Sequence, residues 1–297
     1  MSVGFIGVGS MGQGIALNIL AAEKAMTVYD VKEAAVAPLL ERQARLAASP
    51  RDVADREALV FGCLPSNPAF EAVVGGAEGV VHGKAIKVFV NLGTVGRPTL
   101  MRAAETLGAK GIAVVDAPIS GGSPRARAGT LTIMAAGPKS AYEQVRPMLE
   151  AASTKLVYLG EKPGVAQTMK LVNNIVSVTN LAVACEAMVM GAKAGLDPEV
   201  ILEVLNTGSG QNSATLTKVP DHILTREFDY GSGLYIIRKD MTLWQEEAED
   251  LGVPMSVALS ARQLFMTAYA RFGENADMSE VIRLVEELAG FEVPKTR

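Results

Sequence analysis

The chain has 297 residues, 49% of them apolar and 20% charged, and a formal net charge of −4. That length holds two cores rather than one small domain, in a composition typical of well-packed globular proteins. An acidic balance argues against nucleic acid as the main partner, because neutralising phosphates takes a basic face, and no basic run is longer than Arg125–Arg127, which Ala126 interrupts.

Short β-branched runs alternate with helical stretches through the first half. Strands are predicted over 3–8, 26–30, 59–64, 88–91, 113–116, 130–135 and 156–159, with helices such as 12–22, 69–74, 98–107 and 141–151 between them. Apolar strands separated by helices imply a mostly parallel sheet covered on both faces. From Val165 onward the period is helical, over 165–194, 198–206, 216–224, 234–251, 255–270 and 278–288, with Gly195, Gly252 and Gly273 as stops. Asp197-Pro198 predicts an N-cap followed by proline at the first helical position. The boundary falls at Pro163-Gly164, giving an α/β domain over 1–163 and an all-α domain over 164–297.

The two cysteines, Cys63 and Cys185, lie outside any metal-ligand spacing and read as reduced thiols of a cytoplasmic protein. Strand-forming residues begin at Val3, so no leader peptide is expected. The apolar stretch 171–194 is broken by Asn173, Asn174, Asn180, Glu186 and Lys193. It is predicted as a buried inter-domain helix rather than a membrane span.

The strongest local signal is Gly7-Val8-Gly9-Ser10-Met11-Gly12, which follows an apolar strand and opens a helix. In that setting the first glycine permits a tight turn, the second lets backbone approach a pyrophosphate, and the third lets helix and strand pack closely. The helix start then offers N–H groups and a positive dipole end to phosphates. Asp30 ends the next strand at the distance expected of an acid that accepts ribose hydroxyls and repels a 2′-phosphate. The first half therefore reads as a Rossmann domain with NAD as cofactor, favoured over NADP.

Four segments in order resemble the β-hydroxyacid dehydrogenase family across essentially the whole chain. They are the glycine loop continuing to Ala16-Leu17-Asn18, then Asp116-Ala117-Pro118-Ile119-Ser120-Gly121-Gly122, then Gly164 with Lys170-Leu171-Val172-Asn173-Asn174, and finally Lys239-Asp240. The resemblance implies that Ser120, Gly121 and Gly122 bind substrate, that Lys170 and Asn174 are catalytic, and that Lys239 and Asp240 close the cofactor site. Leu64-Pro65 and Thr94 fall where the family passes the cofactor. Gly93 stands where the family usually has the first hydroxyl of a Ser-Thr pair, so one polar contact is expected to be missing.

The residues support the same reading. Oxidising an alcohol needs a proton acceptor for the hydroxyl, and Lys170 sits in an apolar turn with Asn174 four residues on, hence on the same helix face. Burial and a nearby nicotinamide cation would lower that lysine from its usual value of ~10.4. Successive glycines after Ser120 can turn N–H groups toward a carboxylate. His82 and His222 read as surface or capping residues, and no metal is expected. The expected reaction interconverts a small 3-hydroxy acid and its semialdehyde. Alternatives are tartronate semialdehyde or a threonate-type sugar acid as substrate, an imine reductase, or an inactive cofactor-binding protein. Lys170 argues against the imine reductase, and intact Ser120, Lys170 and Asn174 argue against inactivity. The partner is a small carboxylate, and the Ala-, Gly- and Val-rich helix 165–194 is expected to be covered in a homodimer or homotetramer.

Overall fold

Strands made almost wholly of apolar residues can be satisfied only with both faces covered, and five of them, with a short exposed sixth, form one all-parallel sheet. In the computed structural model, which describes residues 2–23 and 25–296, these are β1 (Val3–Ile6), β2 (Met26–Tyr29), β3 (Arg45–Leu46), β4 (Leu59–Gly62), β5 (Val88–Asn91) and β6 (Ala113–Asp116). Their order is β3-β2-β1-β4-β5-β6. The chain winds outward from β1 to β3, then returns to the other side of β1 for β4 to β6. That reversal opens a crevice at the carboxyl ends of β1 and β4, the place where such sheets bind ligands. Alternate residues serve opposite faces: Phe5 and Phe61 pack into one core, Ile6 and Val60 into the other. The two-residue β3 is exposed and carries no apolar run, so no local pattern predicts it.

The helices of this half are α1 (Gly12–Glu23), α2 (Glu33–Leu40), α3 (Pro50–Arg56), α4 (Asn67–Gly75), α5 (Arg97–Gly108), α6 (Gly122–Ala128) and α7 (Lys139–Ala151). The runs predicted over 130–135 and 156–159 do not extend the main sheet. With Ile119–Ser120 as β7 they form a separate three-stranded sheet, in which β8 (Leu131–Ala135) pairs antiparallel with β7 and parallel with β9 (Ser153–Tyr158). Pro118, with no N–H to give a ladder, interrupts the chain between β6 and β7. The backbone of Asp116 pairs with Ala136 at 2.8 Å in both directions and joins the two sheets.

The chain divides into two compact units within one helix, between Lys170 and Leu171. That helix, α8 (Val165–Lys193), runs for 29 residues. By length and composition it could cross a bilayer. Half of its most apolar window is buried in protein, however, and Asn174 and Ser177 make side-chain hydrogen bonds within its own unit. The second unit continues with α9 (Pro198–Thr207), α10 (Leu234–Asp250), α11 (Ser256–Phe272) and α12 (Val281–Ala289) around a core that includes Leu181, Met188, Trp244 and Phe265. Asp197 caps α9, its carboxylate accepting from the N–H groups of Glu199 and Val200. The helix expected over 216–224 is instead π-helical, Ala214–Ile223, with Pro220 inside it.

Candidate active site

The glycine loop after β1 is built by contact with its own backbone. Gly7 has φ +87°, and a Cβ there would lie 2.4 Å from the Cys63 carbonyl oxygen. A Cβ on Gly12 would lie 1.9 Å from the Gly7 carbonyl oxygen, so the first turn of α1 packs on the loop only as glycine. Gly9 differs: it is exposed, and a Cβ there would meet nothing within 4 Å. The fold therefore dictates the outer glycines and leaves room over the middle one, which suits a pyrophosphate approaching the backbone. Ser10 is exposed and Met11 half-buried beside it. Asp30, just past β2, accepts the Val8 N–H at 2.8 Å through one oxygen and the Lys32 N–H at 2.8 Å through the other. A carboxylate has about four acceptor positions, so two remain for ribose hydroxyls. Leu64 and Pro65 follow β4, and Thr94 follows β5, on the same rim.

The Ser120 turn leads into α6. Gly121 and Gly122 have φ of +139° and +74°, a pair of conformations that side chains rarely adopt. A Cβ on Gly121 would lie 2.8 Å from Cδ of Arg125, whose stem covers the turn while the residue stays exposed. The far end of α6 is held by Asn18 on α1, whose amide donates to the Gly14 and Ala126 carbonyls at 2.8 and 3.0 Å. A Cβ on Gly14 would lie 2.7 Å from the Arg127 nitrogen, so α6 can lie against α1 only at a glycine. The helices α1 and α6 are thus braced against each other.

On α8, Lys170 and Asn174 are one turn apart and half-buried. Asn174 donates to the buried Asp240 on α10 at 2.8 Å, and the other oxygen of Asp240 pairs with Lys239 at 2.8 Å. The Asn173 amide nitrogen donates to Asn174 Oδ1 at 3.3 Å. The asparagine side chain is therefore oriented by a carboxylate that is itself neutralised.

Residues 2–160 match the family described as the NAD binding domain of 6-phosphogluconate dehydrogenase. Residues 164–285 match the family described as the NAD-binding region of NADP-dependent 3-hydroxyisobutyrate dehydrogenase. The chain is 33% identical to 2-(hydroxymethyl)glutarate dehydrogenase of Eubacterium barkeri, over 99% of this chain and 97% of that one. It belongs to the β-hydroxyacid dehydrogenase family. L-Threonate dehydrogenase of Cupriavidus necator is 29% identical over 99% and 98% of the two chains. A crystal structure of 3-hydroxyisobutyrate dehydrogenase from Salmonella typhimurium aligns with a TM-score of 0.85 at 28% identity, covering 96% and 99%. The chain is accordingly an NAD-binding oxidoreductase.

Next to these candidate residues of this β-hydroxyacid dehydrogenase lies a buried polar cluster centred on a residue that sequence reasoning did not single out. Gln167, three residues before Lys170, is fully buried together with Asp116 and Asn91. Its side-chain oxygen accepts from the N–H groups of Val95 and Gly96 at 2.8 and 3.0 Å. Its amide nitrogen donates to the Gly93 carbonyl at 3.1 Å and to Asp116 at 2.6 Å, and its backbone N–H donates to the other Asp116 oxygen at 3.0 Å. Asn91 closes a ring with Gly93, donating to its carbonyl at 3.0 Å and accepting its N–H at 3.1 Å. A Cβ on Gly93 would lie 3.1 Å from the Leu64 carbonyl and 3.3 Å from Asn91 Oδ1. A side chain there would need its neighbours to give by a few tenths of an ångström. The available signal was an uncharged polar residue at the start of an apolar helix, matched by Asn91 and Asp116 at two strand ends.

His222 pairs with Asp229 at 2.7 Å and meets the Tyr230 ring edge-on, outside this constellation. Lys218 is buried and donates to Ser177 at 2.8 Å, and burial pushes its amine down to about 8. Burial also raises both thiols, Cys63 to about 12, so neither is a ready nucleophile. Among the described residues no group of His, Cys, Asp or Glu could hold a metal ion.

Two outcomes follow from this geometry. Gly12→Ala should abolish NADH binding, measured by fluorescence titration, because the Gly7 carbonyl must move out of the loop; a Kd within about threefold of the parent would contradict the loop's construction. Burial pushes the Asp116 carboxyl up to about 7, against the pull of hydrogen bonds from Gln167, Asn91 and Gly164. In the unfolded chain that group loses its proton near ~3.9, so between those values the native state binds more protons and stability falls as pH rises. The unfolding free energy of the parent minus that of Asp116→Asn, from urea melts, should therefore decline from about pH 4 to about pH 7 and level off above. A difference independent of pH would show that Asp116 does not titrate this way.

Proposed function

We propose that the enzyme interconverts a small 3-hydroxy acid and its semialdehyde, with Lys170 as general base in oxidation and general acid in reduction. The observation that carries this reading is the chain of contacts from Lys239 through buried Asp240 to Asn174, one helical turn from Lys170. It orients the Asn174 amide one helical turn from Lys170, which supports a reading in which an ammonium and an amide address one hydroxyl or carbonyl oxygen. NAD, when bound, takes up the hydride in oxidation and returns it in reduction. The hydroxyl proton passes to the neutral Lys170 amine, giving an ammonium, and the C–O bond becomes a carbonyl as the hydride departs. In the reverse direction the ammonium returns that proton to the carbonyl oxygen.

Ser120, Gly121 and Gly122 hold the carboxylate through the hydroxyl and the turned backbone N–H groups. Gly7, Gly9, Ser10, Met11 and Gly12 cradle the pyrophosphate, Asp30 takes the ribose hydroxyls and disfavours NADP, and Leu64, Pro65, Thr94 and Lys239 line the rest of the cofactor path. Residues 1–163 serve as the NAD-binding domain and 164–297 as the helical domain. The substrates named for the relatives, 2-(hydroxymethyl)glutarate, L-threonate and 3-hydroxyisobutyrate, share a carboxylate with a hydroxyl on the β carbon. That common fragment is the part this site is built to grip. The two unpaired thiols accord with a cytoplasmic enzyme.

Lys170→Ala should lower turnover by ~10²–10⁴-fold while NADH binding stays within about threefold, the size expected when a proton-transfer group is removed. Parent-like turnover on a panel of 3-hydroxy acids would overturn the assignment. We further propose a homodimer or homotetramer formed through the helical unit, where Met190 is 74% and Val204 64% exposed on α8 and α9. Light scattering at micromolar concentration should give a multiple of 31.2 kDa, and a monomer mass would exclude it.

A further inference from the structure

A primary amide has two acceptor positions and two N–H donors, and in the first unit Gln167 uses all four. Its oxygen takes two adjacent N–H groups, Val95 and Gly96, and its nitrogen serves the Gly93 carbonyl and the Asp116 carboxylate. Turning the amide over would set donor against donor and acceptor against acceptor at every contact, so one orientation is fixed. Three segments of the proposed site meet at this side chain. The Gly93–Gly96 contacts bracket Thr94. Asp116 begins the segment that runs through Pro118 to the Ser120-Gly121-Gly122 turn. Lys170 follows Gln167 by three residues on α8, an adjacent position on the helix surface about 4.5 Å along the axis.

We propose that Gln167 is a positioning residue, which sets the Lys170 amine in register with the Thr94 loop and the Ser120 turn by clamping the first turn of α8 to both. The inference rests on the reading of Lys170 as the proton carrier. A side chain that only filled space would need no polar atoms here, and burying an amide and a carboxylate is costly unless every group is satisfied. The groups facing Asp116 are the Gln167 amide, the Asn91 amide and the backbone N–H groups of Gln167 and Gly164. None of these titrates, and all are donors, so they oppose the burial that raises the carboxyl to about 7, and the ionised form that prevails above that pH is the one that completes the clamp.

Gln167→Met keeps much of the volume and removes the four hydrogen bonds. Per NADH-binding site, kcat should fall about 10–100-fold while KM and the NADH Kd change less than about threefold, the signature of lost alignment rather than lost binding. Folded Gln167→Met with kcat within twofold of the parent would overturn the proposal. Should that variant fail to fold, Gln167→Glu supplies the second test. Its carboxyl would face Asp116 directly, and the pair can restore the hydrogen bond only by holding a shared proton. The ratio of its kcat to that of the parent should then rise at least tenfold from about pH 8.5 to about pH 6; a ratio unchanged with pH would overturn the clamp. Lys170→Ala separates the two ideas. If it retains turnover, the base assignment falls whatever Gln167 does. If it is inactive while folded Gln167→Met is unimpaired, the positioning role alone falls.

Discussion

A parallel sheet buried on both faces has no room for polar side chains along its strands, so polar chemistry is confined to the strand ends. In this chain that constraint acts on β1, β4, β5 and β6 together. Their carboxyl ends deliver the glycine loop, Leu64-Pro65, the Asn91–Gly96 loop and the Asp116–Ser120 segment to one rim of the sheet. Everything proposed for cofactor and substrate in the first unit hangs from that rim, and the apolar cores beneath it hold the strand ends in place.

Backbone crowding refines what the rim can hold. Gly12 meets the Gly7 carbonyl, Gly14 meets α6, and Gly121 meets the stem of Arg125, so each glycine marks a place where one segment must approach another closely. Gly9 is the exception, with open space where its Cβ would be. The contrast separates glycines that the fold requires from the one suited to a ligand, in line with the roles expected from the motif's position between strand and helix.

Polar groups that lie behind the rim are paired with care. Gln167, Asp116 and Asn91 are fully buried and joined to each other or to nearby backbone. In the helical unit, Asp240 stands between Asn174 and Lys239 in the same manner. Both arrangements place a buried carboxylate behind a side-chain amide. An amide held by a carboxylate has lost its freedom to turn, and this gives catalytic groups on a helix a defined direction.

The sequence alone determined the alternation of strand and helix, the glycine loop with its acid, the helical second half and the family, because each is written in local spacing or in ordered motifs. It also marked Lys170, Asn174, Asp240 and Lys239, but as separate motifs, with no indication that Asp240 would hold Asn174. Only the tertiary structure decided that β7, β8 and β9 form their own sheet, that Ala214–Ile223 is π-helical, and that Gln167 binds Asp116 and the Thr94 loop. The physical reason is the range of the interactions. Periodicity and turn chemistry act within a few residues, whereas the bonds of Gln167 to Asp116 and Gly93 join positions 51 and 74 residues apart, and no local pattern encodes which distant partner a buried amide will find.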